Sequence, residues 1–435
     1  MKLAIVGAGA AGTIAAYRLR QALPDATITV FERAAVPGGR AHQVEFAGTQ
    51  VEVGATVMHS SGQWLSELAD YAGIAKGTGG VQLDGKDEVF GFWDGRSFSL
   101  TTKSSMFSLA WGIVRKYGLM AALRTTRSTR ELAAKWSKIY ELQRAGQLFD
   151  TTDELLKALD IKQAQATSLR DVFSSAGVDA GFIQTVIEGI TRNMYTQDGR
   201  MNSFAGRVGL AGAGLAGGSL YAIPEGNQTL FAKALVKLGV ELRLNTEVNR
   251  ISALGSSVVA ETDGAEESFD AAIIAAPLEL ADLKVFFSQQ RYNAPMRPYQ
   301  EVWVTLVAGE LSEKYFRTRK LPSMVFCANT PQAQFASLGV CGFSPQHKQR
   351  IYKFFTVGKP LPAEEVVSVF SKVYEVGRWH WPGAYPVLSP GLHSDPFKLW
   401  DRLYYVNGFE SAASTLELDA VAAYNTAGLL LRDLA

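Results

Sequence analysis

A short apolar run, Leu3 to Val6, leads straight into Gly7-Ala8-Gly9-Ala10-Ala11-Gly12, and this junction limits the fold more than any other stretch. Its glycines have separate jobs: the first makes a tight turn, the second lets a pyrophosphate approach the backbone, and the third lets a helix sit close to the strand. The spacing predicts a helix from about Ala10 to Leu23 with its N-terminus facing that phosphate. Ile28 to Phe31 alternates and is rich in β-branched residues, so it reads as a second parallel strand. It ends on Glu32, twenty residues after Gly12, where a carboxylate accepts from a ribose hydroxyl. A chain with 41 glycines produces such spacings by chance. The strand before, the helix after and the acid at the right distance make this one a dinucleotide site. The competing readings are an ordinary strand-turn-helix corner and a secretory leader, which Lys2 and the small apolar residues imitate. Cleaving a leader here deletes the phosphate loop, so no signal peptide and a cytoplasmic setting are expected.

Pro37-Gly38-Gly39-Arg40 follows Glu32 after four residues. That placement lays backbone amides and a guanidinium against a pyrophosphate in a way a nicotinamide cofactor does not need, so FAD is favoured over NAD. At 435 residues the chain exceeds one simple core. The expected fold is α/β, a Rossmann-like FAD-binding domain with a discontinuous α+β substrate domain. The first takes residues 1–75, 220–282 and 395–435, and the second takes 76–219 and 283–394. A net charge of +1 gives no reason to expect a nucleic-acid partner. Cys327 and Cys341 lie fourteen apart with no CxxC pair, and the five histidines are scattered, so neither a disulfide frame nor a metal site is expected. No run of eighteen charge-free apolar residues occurs, so no transmembrane helix is expected.

Along the chain, Gln43 to Phe46 and Gln50 to Val53 form a hairpin around Gly48, and Gly54-Ala55-Thr56-Val57-Met58-His59 offers small residues for close approach to a flat ring. Asp84-Gly85 and Asp94-Gly95 read as hairpin turns. Met106 to Lys138 reads as helical, with seven basic residues beside Phe107, Trp111, Leu119, Leu123 and Trp136. It is either a solvated face on a substrate-domain helix or a peripheral contact with an acidic membrane surface. Gly206 to Gly218 reads as a permissive connection or a channel wall. Strands are expected at Glu241 to Leu244, Glu247 to Ile251 and Ala271 to Ala275, and a helix at Glu364 to Tyr374. Phe354, Phe355, Trp379 and Trp381 line a channel or simply pack a core. The chain closes with a strand at Arg402 to Val406, a turn at Asn407-Gly408 and a helix from Ser411 to Leu434, whose N-terminal amides suit negative charge on a flavin ring.

These motifs together resemble the prenylcysteine oxidase (prenylcysteine lyase) family, within the amine-oxidase-like FAD flavoproteins. The resemblance runs through Gly7 to Gly12, Val30-Phe31-Glu32-Arg33, Gly38-Gly39-Arg40, Gly54 to His59, Asn193-Met194-Tyr195-Thr196-Gln197, Gly226-Asn227 and Asp401 to Ser414. It implies an FAD enzyme that uses oxygen to cleave the thioether of a lipophilic substrate, farnesyl- or geranylgeranyl-cysteine, to prenyl aldehyde, cysteine and hydrogen peroxide. The cofactor contacts expected are Gly7, Gly9, Ala10, Ala11, Gly12, Glu32, Arg33, Gly38, Gly39 and Arg40, then Gly54, Ala55, Thr56 and Val57. Val248, Pro277, Gly408, Glu410, Ser414 and Thr415 complete them. Tyr195 is a substrate contact by family likeness alone. His59 either orients water or substrate in catalysis or hydrogen-bonds structurally beneath the cofactor. An FAD amine oxidase or polyene desaturase, and a non-catalytic prenyl-binding flavoprotein, share the cofactor motifs.

Overall fold

A computed structural model describes residues 1–78, 89–103 and 106–435; the Asp84-Gly85 turn expected from the sequence lies outside them. Lys2–Val6 is the central strand of a six-stranded sheet, flanked on one side by Thr27–Phe31 and Glu241–Arg243 and on the other by Ala271–Ile274, Leu403–Tyr405 and Lys398–Trp400. All neighbours are parallel except the last pair. Ala271, Ala272, Ile273 and Ile274 are all buried, the continuous apolar run that a parallel sheet covered on both faces requires. One face carries the helix Ala10–Ala22. Against it lies the last helix, Leu416–Leu434, in which every residue from Leu418 to Leu430 is buried. A helix apolar all round has to be a core helix, and this one brings the end of the chain onto its beginning.

Two further sheets flank this layer. The strand Val248–Leu254 pairs antiparallel with Ser257–Thr262 and parallel with Lys284–Phe287, in a five-stranded attachment. It lies outside the central sheet, whereas Glu241–Arg243 and Ala271–Ile274 belong to it. A seven-stranded sheet is built mainly from Tyr299–Leu311, Met324–Cys327, Ser337–Ser344, Gln349–Val357 and Phe370–Pro386, and closes on Val89–Trp93 and Phe98–Lys103. The last two join through Asp94, whose carboxylate accepts from the N–H groups of Arg96 and Ser97 at 2.7 and 2.8 Å.

The structure corrects three readings. The helix expected at Glu364 to Tyr374 ends at Val369, and Phe370 opens a 17-residue strand. Aromatic and β-branched residues pair there along Tyr299–Leu311, which outweighs local helix propensity. Gly206 to Gly218 is largely not a loop: Ser203–Leu210 is α-helical and continues into a π-helical turn, Ala211–Leu215. Its glycines serve packing, since a Cβ on Gly209 would stand 3.2 Å from the Tyr195 ring. Asn407–Ser411 is a 3₁₀ turn, so the final helix starts at Leu416 and not at Ser411.

Buried polar clasps lock the helical middle of the chain to the final helix. Glu417 accepts from the backbone N–H groups of Trp64 and Leu65 at 2.9 and 3.1 Å, capping the helix Trp64–Ala72. Asn425, fully buried, accepts from Phe149 N–H at 2.9 Å and donates to Phe149 C=O at 2.8 Å. Asn425→Ala strands both backbone groups in the core, at about 1–3 kcal/mol each. A clear fall in the thermal unfolding midpoint is therefore expected, and an unchanged midpoint contradicts the assignment of this contact as a clasp.

Candidate functional site

The phosphate loop is fixed by close approaches that only glycine allows. A Cβ on Gly12 would fall 1.9 Å from the Gly7 carbonyl oxygen, so helix and strand pack with no room for a side chain. Gly9 differs: a Cβ there meets nothing nearer than 3.8 Å, from Gly38 and Gly39, so the space in front of it is open. Gly9 is also the N-cap of the helix Ala10–Ala22, with no side-chain cap, which leaves first-turn N–H groups of Ala10, Ala11 and Gly12 to a ligand. Glu32 sits behind this opening, its two oxygens accepting from Ala8 N–H and Ala34 N–H, each at 2.9 Å. The second glycine turn is seated on the first, for Gly38 N–H donates to Ala8 C=O at 2.9 Å and Gly9 bridges Gly38. An open cradle, uncapped amides and a carboxylate at the strand end fit the pyrophosphate and ribose of FAD. Arg33 is turned outward, 3.8 Å from Glu247, with its guanidinium also donating to Leu280 C=O. Val248 is buried between the sheets beside Phe31, and Pro277 begins a turn just past Ala275, the residue lying over Gly7.

Arg40 points into the molecule. Its guanidinium makes a two-pronged pair with the buried carboxylate of Glu410 and lies 3.6 Å from Asp419. Tyr299 and Asn407 also donate to Glu410, at 2.9 and 2.6 Å. Burial alone pushes the Glu410 carboxyl up, but Arg40 outweighs it and holds the group below the ordinary carboxylate range. Asp419 goes the other way: burial and then the Glu410 charge push it well above its ordinary value. Gly408 lies tight against the Asp395 carbonyl, Ser414 is buried, and Thr415 caps the final helix through Leu418 N–H at 3.2 Å.

A cavity opens where these parts meet, between Arg40, Gly54, Ala55, Ser414, Thr415 and Tyr385. Val302, Phe355 and Trp381 give it apolar walls. The Gly54 segment is held from behind, with Asn227 donating to Ala55 C=O at 2.8 Å and Lys353 to the Thr56 hydroxyl at 2.9 Å. Val57 is half-buried beside it. Burial lowers the Lys353 ammonium pKa and raises the nearby Glu52 carboxyl to about 7. His59 is outside the lining of this cavity. Its Nε2 hydrogen-bonds Gly217 C=O at 2.9 Å and therefore carries the proton, while Nδ1 accepts from Ser61 N–H at 3.2 Å. Tyr195 is 1% exposed, meets Tyr385 edge to face at 5.5 Å, and its buried hydroxyl has no partner among the described residues.

Sequence reasoning passes over Tyr299, Asp419, Lys353 and Glu52. The available signal for Lys353 and Asp419 is a charge set against apolar neighbours, between Tyr352 and Phe354 in a strand and just before Ala420-Val421-Ala422-Ala423 in a helix. Gly9→Val should fold normally yet lose FAD, because the side chain enters the ligand's space and meets no protein; full flavin absorbance in the purified variant contradicts this. Glu52 adds a pH dependence. Its folded pKa lies above the unfolded one, so its contribution to stability is complete below the unfolded carboxylate value and lost as pH rises through about 7. The stability difference between wild type and Glu52→Gln should drift in that sense across the window, and a flat difference rules the burial effect out.

A family model described as prenylcysteine lyase matches residues 101–435, and an NAD(P)-binding Rossmann-like domain matches residues 5–72. The chain is 30% identical to farnesylcysteine lyase of Arabidopsis thaliana, over 98% of this chain and 87% of that protein. It is 27% identical to prenylcysteine oxidase 1 of Rattus norvegicus, with 98% and 88% covered. Among solved structures, cyclohexylamine oxidase from Brevibacterium oxydans superposes with a TM-score of 0.69 at 13% identity, covering 100% of this chain and 99% of that one. A double mutant of putrescine oxidase, redesigned in its cofactor binding, gives a TM-score of 0.68 at 15% identity, with 99% of each chain covered. The fold is thus that of these oxidases, and the chain belongs to the prenylcysteine lyase family.

Proposed function

We propose that this chain is an FAD-dependent oxidase of prenylcysteine, cleaving the thioether of farnesyl- or geranylgeranyl-cysteine. Beyond the family match, one observation carries the reading: the apolar-walled cavity lies where the second glycine turn, Gly54-Ala55 and the start of the final helix converge. FAD held by these residues would supply a two-electron acceptor for the carbon between sulfur and the double bond, with oxygen as the final acceptor and peroxide as its product; water added to that carbon would then leave prenyl aldehyde and cysteine.

The chain's own residues supply placement and dryness. The phosphate loop, Glu32 and the Gly38-Gly39 turn hold the dinucleotide, and Gly54, Ala55, Ser414 and Thr415 line the cavity toward the final helix. Arg40 and Glu410 cancel each other's charge, and burial with the Glu410 charge shifts the Asp419 carboxyl toward its neutral form, which suits an apolar substrate nearby. Phe355, Trp381 and Tyr385 exclude water while Tyr195 orients the substrate. The N-terminus of the final helix favours negative charge on the ring. No step needs a strong base, in keeping with a cavity that has neither a carboxylate pair nor a triad among its lining residues. We assign His59 a positioning role, joining Ser61 to the Gly217 turn.

The division of labour proposed is a cofactor part of residues 1–75, 220–282 and 395–435 and a substrate part of 76–219 and 283–394. Among the described residues no helix is long and apolar enough to cross a membrane. Peripheral contact through residues 106–138 fits a substrate that partitions into lipid.

Farnesylcysteine labelled at the carbon beside sulfur should give labelled farnesal, cysteine and peroxide in equal amounts. If the label stays in intact thioether while an amine bleaches the flavin, the proposal fails. His59→Gln should leave the flavin reduction rate at saturating substrate within about two-fold of wild type, and a drop of the 10²–10⁴-fold order expected of a general acid or base returns His59 to the chemistry.

A further inference from the structure

The helices Met106–Tyr117 and Leu119–Arg144 are joined by one residue, Gly118, whose φ of +86° reverses the chain into a hairpin. Leu109, Ile113 and Ala121 pack into the main core. The hairpin is nevertheless apolar on its outer side as well. Phe107, Trp111, Leu119, Met120 and Leu123 are between 51% and 80% exposed. Elsewhere on the described surface, large apolar side chains that open stand singly, at Val236, Met296 and Val367 for example. Five within residues 107 to 123 make a patch, and a patch of that kind marks a contact site.

The charge around the patch identifies the partner. Residues 106–138 hold seven basic side chains against one acidic one, Glu131, in a chain whose net charge is only +1. The two characters share helix faces. Phe107, Trp111 and Arg115 follow at four-residue steps, as do Leu119, Leu123 and Arg127. Each stripe therefore runs from apolar to basic along the helix, so that basic side chains border the exposed apolar ones. A groove of about 480 Å³ beside the first helix repeats the mixture, with Leu100, Phe107 and Trp111 next to Arg115 and Lys116. A second copy of this chain, meeting the same face, would set basic against basic.

We propose that this hairpin docks the protein on a bilayer containing anionic lipid, with the apolar side chains entering the acyl boundary and the arginines meeting headgroup phosphates and carboxylates. Only its purpose, collecting a prenylated substrate from lipid, rests on the prenylcysteine reading; the contact itself does not.

The test is co-sedimentation of the full-length holoenzyme with vesicles of phosphatidylcholine, with and without about one third phosphatidylserine. Binding should require the anionic lipid and weaken at high salt. Phe107→Ser with Trp111→Ser should lower the partition coefficient at least about ten-fold, since each removes a large apolar contact. Arg115→Glu with Arg130→Glu should lower it by about five-fold or more per charge. Both variants should turn over detergent-solubilised farnesylcysteine at the wild-type rate. If wild type stays in the supernatant, or both variants pellet as well as wild type, the proposal is overturned. It is equally overturned if, without lipid, a dimer forms that these substitutions dissolve, because the face is then a self-interface. Pelleting by a protein that fails to oxidise farnesylcysteine sinks the enzymatic reading and leaves the docking surface standing.

Discussion

The ion pair between Arg40 and Glu410 holds the site together. It joins residues 370 positions apart, one from the second glycine turn and one from the 3₁₀ turn before the final helix. Burying a carboxylate costs several kcal/mol unless it is paired and its lone pairs are filled. Here they are filled, by Arg40 on both oxygens, by Tyr299 from the seven-stranded sheet and by Asn407 from the same turn. A second buried pair repeats the design one step away, where Arg297 meets Glu279, the Tyr405 hydroxyl and the Asn407 carbonyl. Four segments distant in the chain are thereby fixed around one space. Specificity of position, more than net stability, is what such pairs supply.

That arrangement also shows why the cavity suits an apolar ligand despite its charged neighbours. The two arginines are matched to carboxylates, and burial together with the Glu410 charge pushes the Asp419 carboxyl well above its ordinary range. The walls are largely apolar, with Phe355, Trp381 and Tyr385 among them. An apolar group placed against those walls meets matched ion pairs and not an isolated charge.

The parts of this account that are legible in sequence are those whose geometry is local. The strand, glycine turn, helix and second strand from Lys2 to Phe31 are legible because residues within thirty positions of one another determine them. The crossover to Ala271–Ile274 and the late strand Leu403–Tyr405 are legible as buried apolar runs. What escapes is what depends on pairing across the chain. Residues 370 to 374 have enough helix-compatible side chains to extend Ala363–Val369, and only the partner strand makes them a strand. The glycines from 206 to 215 look like a loop until Tyr195, Met194 and Leu169 are seen to need the space. Arg40 and Glu410 each stand out locally, but no local pattern says that they meet. The exposure of the 106–123 hairpin is likewise beyond sequence, since its apolar residues fit a buried face equally well.

The most direct test of the central claim is a double-mutant cycle on the unfolding free energy, with Arg40→Met, Glu410→Gln and the two combined, scored for bound FAD at each corner. If the pair organises the site, Arg40→Met alone leaves a buried carboxylate unmatched and costs about 3–5 kcal/mol. The double variant should then recover part of that loss, giving a coupling energy above about 1 kcal/mol, while all three variants lose flavin affinity. Additive losses, or full FAD retention when the pair is removed, would show that the site is held by something else.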